Sequence, residues 1–286
     1  MPEHPEIDSS VPHSARIWNY WLDGKENYPI DREVGDAFVR IFPGQVDIAR
    51  HSRAFLGRAV RFLAGEAGIR QFLDIGTGLP TVDNTHEVAQ RVAPESRIVY
   101  VDNDPLVLAH ARALLTSTPA GVTSYIDADI REPGAILAKA ADTLDFGEPV
   151  GLLLLGILGH VTDEEDPEAI LAQLVDALAP GSYVVINDGT NVFGGGGDGD
   201  GDGDGDGDGE QAERPDETAR VRAIARYVEA GGVAYNLRSP ERITAYFDGL
   251  ELVEPGVVPV SRWRPEALPF GEPDEVDAFC GVARVP

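Results

Sequence analysis

Between residues 71 and 188 short apolar runs rich in β-branched residues alternate with segments whose apolar positions recur at helical spacing. That alternation is the pattern of a parallel sheet joined by crossover helices. It predicts strands over 71–75, 97–101, 123–127, 150–155 and 182–188, separated by helices over 82–92, 105–115, 135–141 and 167–178. Chain breakers punctuate the series: Pro133-Gly134 interrupts it after the third strand, and Pro180-Gly181 ends the last of these helices before the fifth strand begins. Further on, Val221, Ile224 and Val228 mark a helix over 215–229, and two more strands are expected near 250–254 and 277–285. The first seventy residues have a different texture. Trp18, Tyr20, Trp21 and Tyr28 cluster around Asp23-Gly24, and helical periodicity follows through Phe38, Ile41, Ile48, Phe55, Val60 and Phe62. Residues 1–66 are therefore expected to form helices that act as a cap or lid, and 67–286 the sheet domain.

One segment has no apolar pattern at all. Four glycines and then strict Asp-Gly alternation fill 194–209, a composition with nothing to bury against the entropy of ordering, so a flexible loop is expected. Alternating aspartates also resemble calcium-binding repeats, but those need a periodic apolar residue that is absent here.

Composition narrows the function. The formal charge is -26 and the isoelectric point about 4.4. Such a chain repels phosphate backbones and anionic lipid, so neither nucleic acid nor a membrane is expected as partner. The lone Cys280 allows no internal disulfide, no Cys/His grouping suggests a metal, and no apolar run approaches the ~20 residues that span a bilayer. A cytoplasmic protein is expected, with a homodimer left open.

The candidate chemistry lies at the carboxyl ends of the strands, where open α/β sheets bind ligands. In Phe72-Leu73-Asp74-Ile75-Gly76-Thr77-Gly78 two glycines fall where a buried strand turns into a helix, which lets a cofactor approach the backbone closely. The second strand closes on Asp102, a position suited to both hydroxyls of a ribose, with Asn103 beside it to meet the adenosine. Asp104-Pro105 reads as a helix start and stays outside the site. After the third strand, Asp129 and Ile130 are placed to meet an adenine ring, with the carboxylate accepting from the amino group. Pairing of Asp129 with Arg131 is the competing reading.

These stretches together resemble the actinobacterial S-adenosylmethionine-dependent methyltransferases first catalogued as a domain of unknown function. The resemblance rests on Ser14-Ala15-Arg16 with Gly24-Lys25-Glu26-Asn27-Tyr28, on Arg53-Ala54-Phe55-Leu56, on 72–81, on 100–105 with His110-Ala111-Arg112, and on Asp129 with Arg131. It implies an α/β, Rossmann-like class I methyltransferase fold with extra N-terminal helices. The sheet it implies is mainly parallel and seven-stranded, ending in an antiparallel hairpin. It also implies S-adenosyl-L-methionine as cofactor over Gly76, Thr77, Gly78, Asp102 and Asp129, with Arg16, Tyr28 and the stretch from Gly24 folded over it. Two positions depart from the family's pattern, Gly159-His160 after the fourth strand and Asn187-Asp188 after the fifth, and the Asp-Gly tract is an insertion.

Methyl transfer is an in-line displacement that asks chiefly for alignment and exclusion of water, with a base only where the nucleophile must shed a proton. His160 is the candidate base, because an imidazole pKa of about 6.5 suits proton transfer near neutrality; its competing reading is a hydrogen-bonded structural histidine. Asp188 is expected either to orient a small-molecule substrate or to cap its loop. Two other functions compete. A nicotinamide-dependent oxidoreductase uses a similar turn and second-strand acid, but its third glycine would fall at Thr81, and Asp74 suits a cationic sulfonium better than a diphosphate. A non-catalytic binding protein would keep the cofactor fold without turnover.

Overall fold

The computed structural model describes residues 8–80, 83–107, 117–193, 218–266 and 271–286. The Asp-Gly tract, His110-Ala111-Arg112 and most of the helix expected over 105–115 lie outside the described residues. Three helices come first: α1 (Ser14–Trp21), α2 (Pro29–Ile41) and α3 (Gln45–Gly65). The alternating region follows as β1 (Gln71–Ile75), α4 (Thr85–Val92), β2 (Arg97–Asp102), β3 (Val122–Asp127), α5 (Pro133–Ala140), β4 (Gly151–Leu155), α6 (Pro167–Asp176) and β5 (Tyr183–Gly189). The chain ends with α7 (Ala219–Glu229), α8 (Pro240–Ala245), β6 (Glu251–Leu252), β7 (Val258–Pro259) and β8 (Ala278–Arg284).

The strands form one sheet in the order β3-β2-β1-β4-β5-β8-β6, with β7 also paired to β8. β1 to β5 are mutually parallel where they pair, whereas β8 runs antiparallel to β5, β6 and β7. The first five strands fall within one residue of the ranges expected from the apolar runs. β7 is an addition: two residues long, it carries no periodicity from which it could be read, and it makes the sheet eight-stranded. α8 was likewise not expected, since six residues show less than two turns of pattern.

Strand residues alternate between two cores, as a pleat buried on both faces requires. Phe72, Ile98, Tyr100 and Leu153 point into the core shared with α1 to α4 and α7; Leu73, Ile75, Val99, Val101, Leu152 and Leu154 point into the core shared with α5, α6 and the Tyr246-Phe247 pair that follows α8. The N-terminal helices are thus part of the main packing rather than an appendage. α3 buries Phe55, Ala59, Val60 and Leu63 completely. α2 lies against α7, and the Trp21 and Phe38 rings join α1 to α2 at 5.4 Å. Between β1 and β4 the strand order reverses direction, which opens a crevice at their carboxyl ends.

Candidate active site

β1 leaves the sheet through two glycines held at φ 75° and 64°, Gly76 and Gly78, a region that side chains bearing a Cβ seldom enter. A Cβ on Gly76 would lie 2.7 Å from the Ile157 side chain, while one on Gly78 would meet nothing within 4 Å, because that residue faces open space. The Gly76 and Thr77 amides donate to the Val101 carbonyl at 2.8 and 3.3 Å, which stitches the elbow to the end of β2. The next residue of β2 completes the join: Asp102 Oδ2 accepts from the Gly78 amide at 2.8 Å and Oδ1 from the Asp104 amide at 3.0 Å. The elbow and the second-strand carboxylate therefore stand side by side. Burial raises the Asp102 carboxyl above its usual range, opposed by those two amides. Each of its oxygens retains a further lone pair for a hydroxyl donor.

Around this junction lies a cleft of about 240 Å³, walled by the β1, β2 and β4 ends and by α1 and α3. At one part of it Asp74 accepts from the Thr85 hydroxyl at 2.6 Å. Burial pushes its carboxyl up to about 6, although Thr85 and the nearby Arg53 guanidinium pull the other way. Arg53, on α3, also lines the cleft and donates to Asn84 Oδ1 at 2.9 Å. Arg53 belongs to a stretch that carries the family resemblance, yet nothing in sequence separates an arginine facing the cleft from one on a solvated helix face. Together Asp74 and Arg53 place opposite charges in one buried space, the chemistry that a zwitterionic amino-acid group requires.

The expected adenine wall is organised differently from its reading in sequence. Asn103, Ala128, Ile130 and Arg131 line the cleft. Asp129 is not among the lining residues: Oδ2 accepts from Asn103 Nδ2 at 2.9 Å, and Oδ1 accepts from the Arg131 amide at 2.9 Å and its guanidinium at 3.1 Å. Those donors hold the Asp129 carboxyl below its usual range despite the cost of burial. Arg131 extends the network to Glu165 at 2.6 Å and to the His160 carbonyl at 2.7 Å. Asp104 accepts from the Leu106 amide at 2.8 Å, as a helix start should, and pairs with His13 at 2.9 Å.

Arg16 and Tyr28 also lie outside the lining. Arg16 is buried against Asp31 at 3.3 Å and the carbonyls of Asp8 and Val11, with its guanidinium 5.3 Å from the Tyr28 ring centroid. The 24–28 stretch is tied to Asn19, whose Oδ1 accepts from the Glu26 amide at 2.9 Å and Asn27 Nδ2 at 3.0 Å. The cover on the cleft consists of α1 residues instead, among them Ser14, Trp18 and Asn19.

A second, smaller cavity of about 60 Å³ adjoins the cleft. Ser14, Trp18, Ser52, Gly156, His160 and Asn187 line both spaces. His160 Nδ1 bonds the Ala234 carbonyl at 3.0 Å, which puts the proton on Nδ1 and the lone pair on Nε2, and the ring stands edge-on to Tyr235 at 5.0 Å. Burial lowers its pKa below the ordinary imidazole value, so the ring is neutral at pH 7. Asp188 lines only the second cavity. It accepts from the Tyr235 hydroxyl and from the Gly189 amide at 3.1 Å, with Arg238 at 3.5 Å, and burial pushes its carboxyl up to about 6. Tyr235 and Arg238 come from a segment with little periodicity, and neither was expected at the site.

This arrangement has counterparts. A family model described as S-adenosyl methyltransferase matches residues 1–194 and 210–286, all of the chain except 195–209. The chain belongs to the S-adenosyl methyltransferase family. It is a methyltransferase that depends on S-adenosylmethionine. A DUF574 family protein from Streptomyces avermitilis is 42% identical over 98% of this methyltransferase and 100% of that chain, with a TM-score of 0.86. A candidate methyltransferase from Thermobifida fusca is 37% identical over 98% and 97% of the two chains, with a TM-score of 0.81. No functionally curated protein matches the enzyme. The stretch that the family model passes over is the Asp-Gly tract. No helix among the described residues is long and apolar enough to cross a membrane.

Proposed function

We propose that the methyltransferase holds S-adenosylmethionine in the larger cleft and admits a compact, largely apolar small molecule to the smaller cavity, where the two meet at His160 and Asn187. The observation that carries this reading is the shared wall of six residues between a cleft that bears Arg53, Asp74, Asp102 and Arg131 and a smaller cavity with Trp18, Trp21, Phe38 and Ile48 in its walls. The cofactor supplies an activated methyl group on its sulfonium. Asp102 binds the ribose hydroxyls beside the Gly76–Gly78 elbow, whose open side leaves room for the nucleoside. Asp74 receives the ammonium of the amino-acid end and Arg53 its carboxylate. Asn103 and Ile130 flank the adenine, while Asp129 acts through Asn103 and Arg131 as a positioning residue. Arg16 and Tyr28 hold α1 in place over the cleft, so residues 1–66 serve as a cap.

His160 takes the proton that the acceptor releases, since Nε2 carries a lone pair and the ring is neutral near pH 7. Asp188 orients Tyr235 beside His160 in the acceptor cavity. A net charge of -26 opposes nucleic acid and anionic membranes as partners, and the single cysteine suits a reducing cytoplasm. The test is to incubate the full chain with cofactor labelled on its methyl group and an extract of the source organism. Label is expected in the small-molecule fraction; label confined to nucleic acid or protein would contradict the proposal.

A further inference from the structure

The smaller cavity has walls of one kind and orphaned polar atoms of another. Trp18, Trp21, Phe38 and Ile48 give it flat apolar sides. Two carboxamides also line it: Gln45 at the start of α3, 4% exposed, and Asn187 near the end of β5, 3% exposed. Gln45 Oε1 and Asn187 Oδ1 are both buried without a hydrogen-bond partner, as are Asp188 Oδ2, Arg220 Nε and the Tyr227 hydroxyl of the same lining. The Asn187 amide is oriented by its other end, because Nδ2 donates to Ser52 Oγ at 3.1 Å. A buried carbonyl left unpaired is costly, so the carboxamide oxygens of Gln45 and Asn187 at one cavity define a preference for an occupant that brings donors.

From this juxtaposition, and resting on the cofactor placement above, we propose that the acceptor is a planar aromatic amine whose N–H groups bond Gln45 Oε1 and Asn187 Oδ1, and that nitrogen is the methylated atom. Asn187 belongs to the wall shared with the cofactor cleft, so a nitrogen bonded there is the acceptor atom nearest the methyl donor. Arg220, 4% exposed, also lines the cavity, its charge offset by the equally buried Asp188 of the same lining; an arylamine, a far weaker base than an alkylamine, is neutral at pH 7 with its lone pair available. In the step, that lone pair forms the new N–C bond as the C–S bond breaks, leaving S-adenosylhomocysteine. The N–H proton then passes to His160 Nε2. An aromatic alcohol offers a single donor to two acceptors and leaves one unpaired.

Aniline, phenol and toluene separate these cases, since they share one ring, are neutral at pH 8 and differ only in the group presented. Binding of each to the full chain saturated with S-adenosylhomocysteine is measured by competition calorimetry or by ligand-detected magnetic resonance. Aniline should bind roughly tenfold or more tightly than toluene, as expected of a site built to bond a donor, and more tightly than phenol. Gln45→Leu, which leaves the Asn187 carbonyl as acceptor, should bring aniline and phenol to within about twofold of each other with both still above toluene; an aniline preference over phenol unchanged in this variant would overturn the proposal. Phenol preferred over aniline, equal binding of all three, or no binding of any at millimolar concentration would overturn the proposal. Failure of S-adenosylhomocysteine itself to bind would instead strike the cofactor placement, so the two outcomes are distinguishable.

Discussion

At the scale of single residues, the site is defined by carboxylates placed where burial and partners give each a different character. Asp129 is held ionised by Arg131 and Asn103, whereas Asp74 is buried with only Thr85 and Arg53 to favour its charged form, and its carboxyl rises to about 6. If Asp74 receives the cofactor ammonium, its protonation removes that partner. The raised pKa sets the sign: the carboxylate is ionised above about 6 and becomes neutral as pH falls below it. Affinity for S-adenosylhomocysteine is therefore expected to be level from pH 7 to 8 and to fall roughly tenfold per unit below Asp74's pKa. Calorimetric titrations at pH 5, 6 and 7.5 check this, and Asp74→Asn should remove the dependence along with most of the affinity. In the unliganded protein the same shift works on stability with the opposite sense. The folded state binds more protons than the unfolded chain between 3.8 and about 6, so Asp74 disfavours folding progressively as pH rises through that window.

Much of this chemistry was legible in the sequence, and what was missed has a physical reason. Gly76, Gly78 and Asp102 announce themselves because a strand end restricts which residues fit there. Arg53, Tyr235 and Arg238 do not, since an arginine or tyrosine is compatible with helix or loop and only the tertiary fold brings Arg53 to the cleft, Tyr235 to the smaller cavity and Arg238 against Asp188. Asp129 shows the converse: its position was read correctly, but the neighbouring Arg131 and Asn103 claim both of its oxygens.

At the scale of elements, the turn from β1 into the following loop is the most constrained piece of the molecule. Gly76 combines a φ of 75° with the Ile157 side chain 2.7 Å from where a Cβ would stand. Gly76→Ala should therefore lose about 1–2 kcal/mol to the backbone conformation alone, with steric overlap added, and displace the amides that grip Val101. A lower melting temperature together with weakened S-adenosylhomocysteine binding is the expected result. Gly78→Ala makes a useful comparison, having the same backbone penalty but open space for its methyl group. Its folded structure should survive with less loss of stability, while the added carbon intrudes on the cleft. β1, β2, β4 and β5 were readable as largely apolar runs buried on both faces, and β3, half-buried at the edge of the sheet, by its place in the alternation. β7, two residues long, is too short to show a period and owes its existence to pairing with β8; β6 is as short and pairs with the same strand, where a strand was expected near 250–254.

At the scale of the whole molecule, an acidic enzyme is assembled from a mainly parallel sheet and a set of N-terminal helices that the family model includes. Those helices contribute to the same core as β1 and β2 and also wall the cleft through Ser14, Trp18 and Asn19. Removing them should leave an unstable chain rather than an open enzyme. The Asp-Gly tract is a different matter, because the family model matches the chain on both sides of it and omits 195–209. Deleting 195–209 is predicted to change neither the melting temperature by more than a degree or two nor S-adenosylhomocysteine affinity by more than about twofold, given that insertions between elements are tolerated. A large loss of affinity on deletion would show that the tract contributes to the site.

The expectations about cofactor binding depend on Asp102 and the Gly76–Gly78 elbow gripping one adenosyl group. Calorimetric titration of S-adenosylhomocysteine into wild-type protein and Asp102→Ala is the most direct test. The wild type should bind, and the variant should bind about a hundredfold more weakly, the loss expected when two hydrogen bonds to a buried charged group are removed. Equal affinity in the two proteins, with the variant folded, would contradict the account.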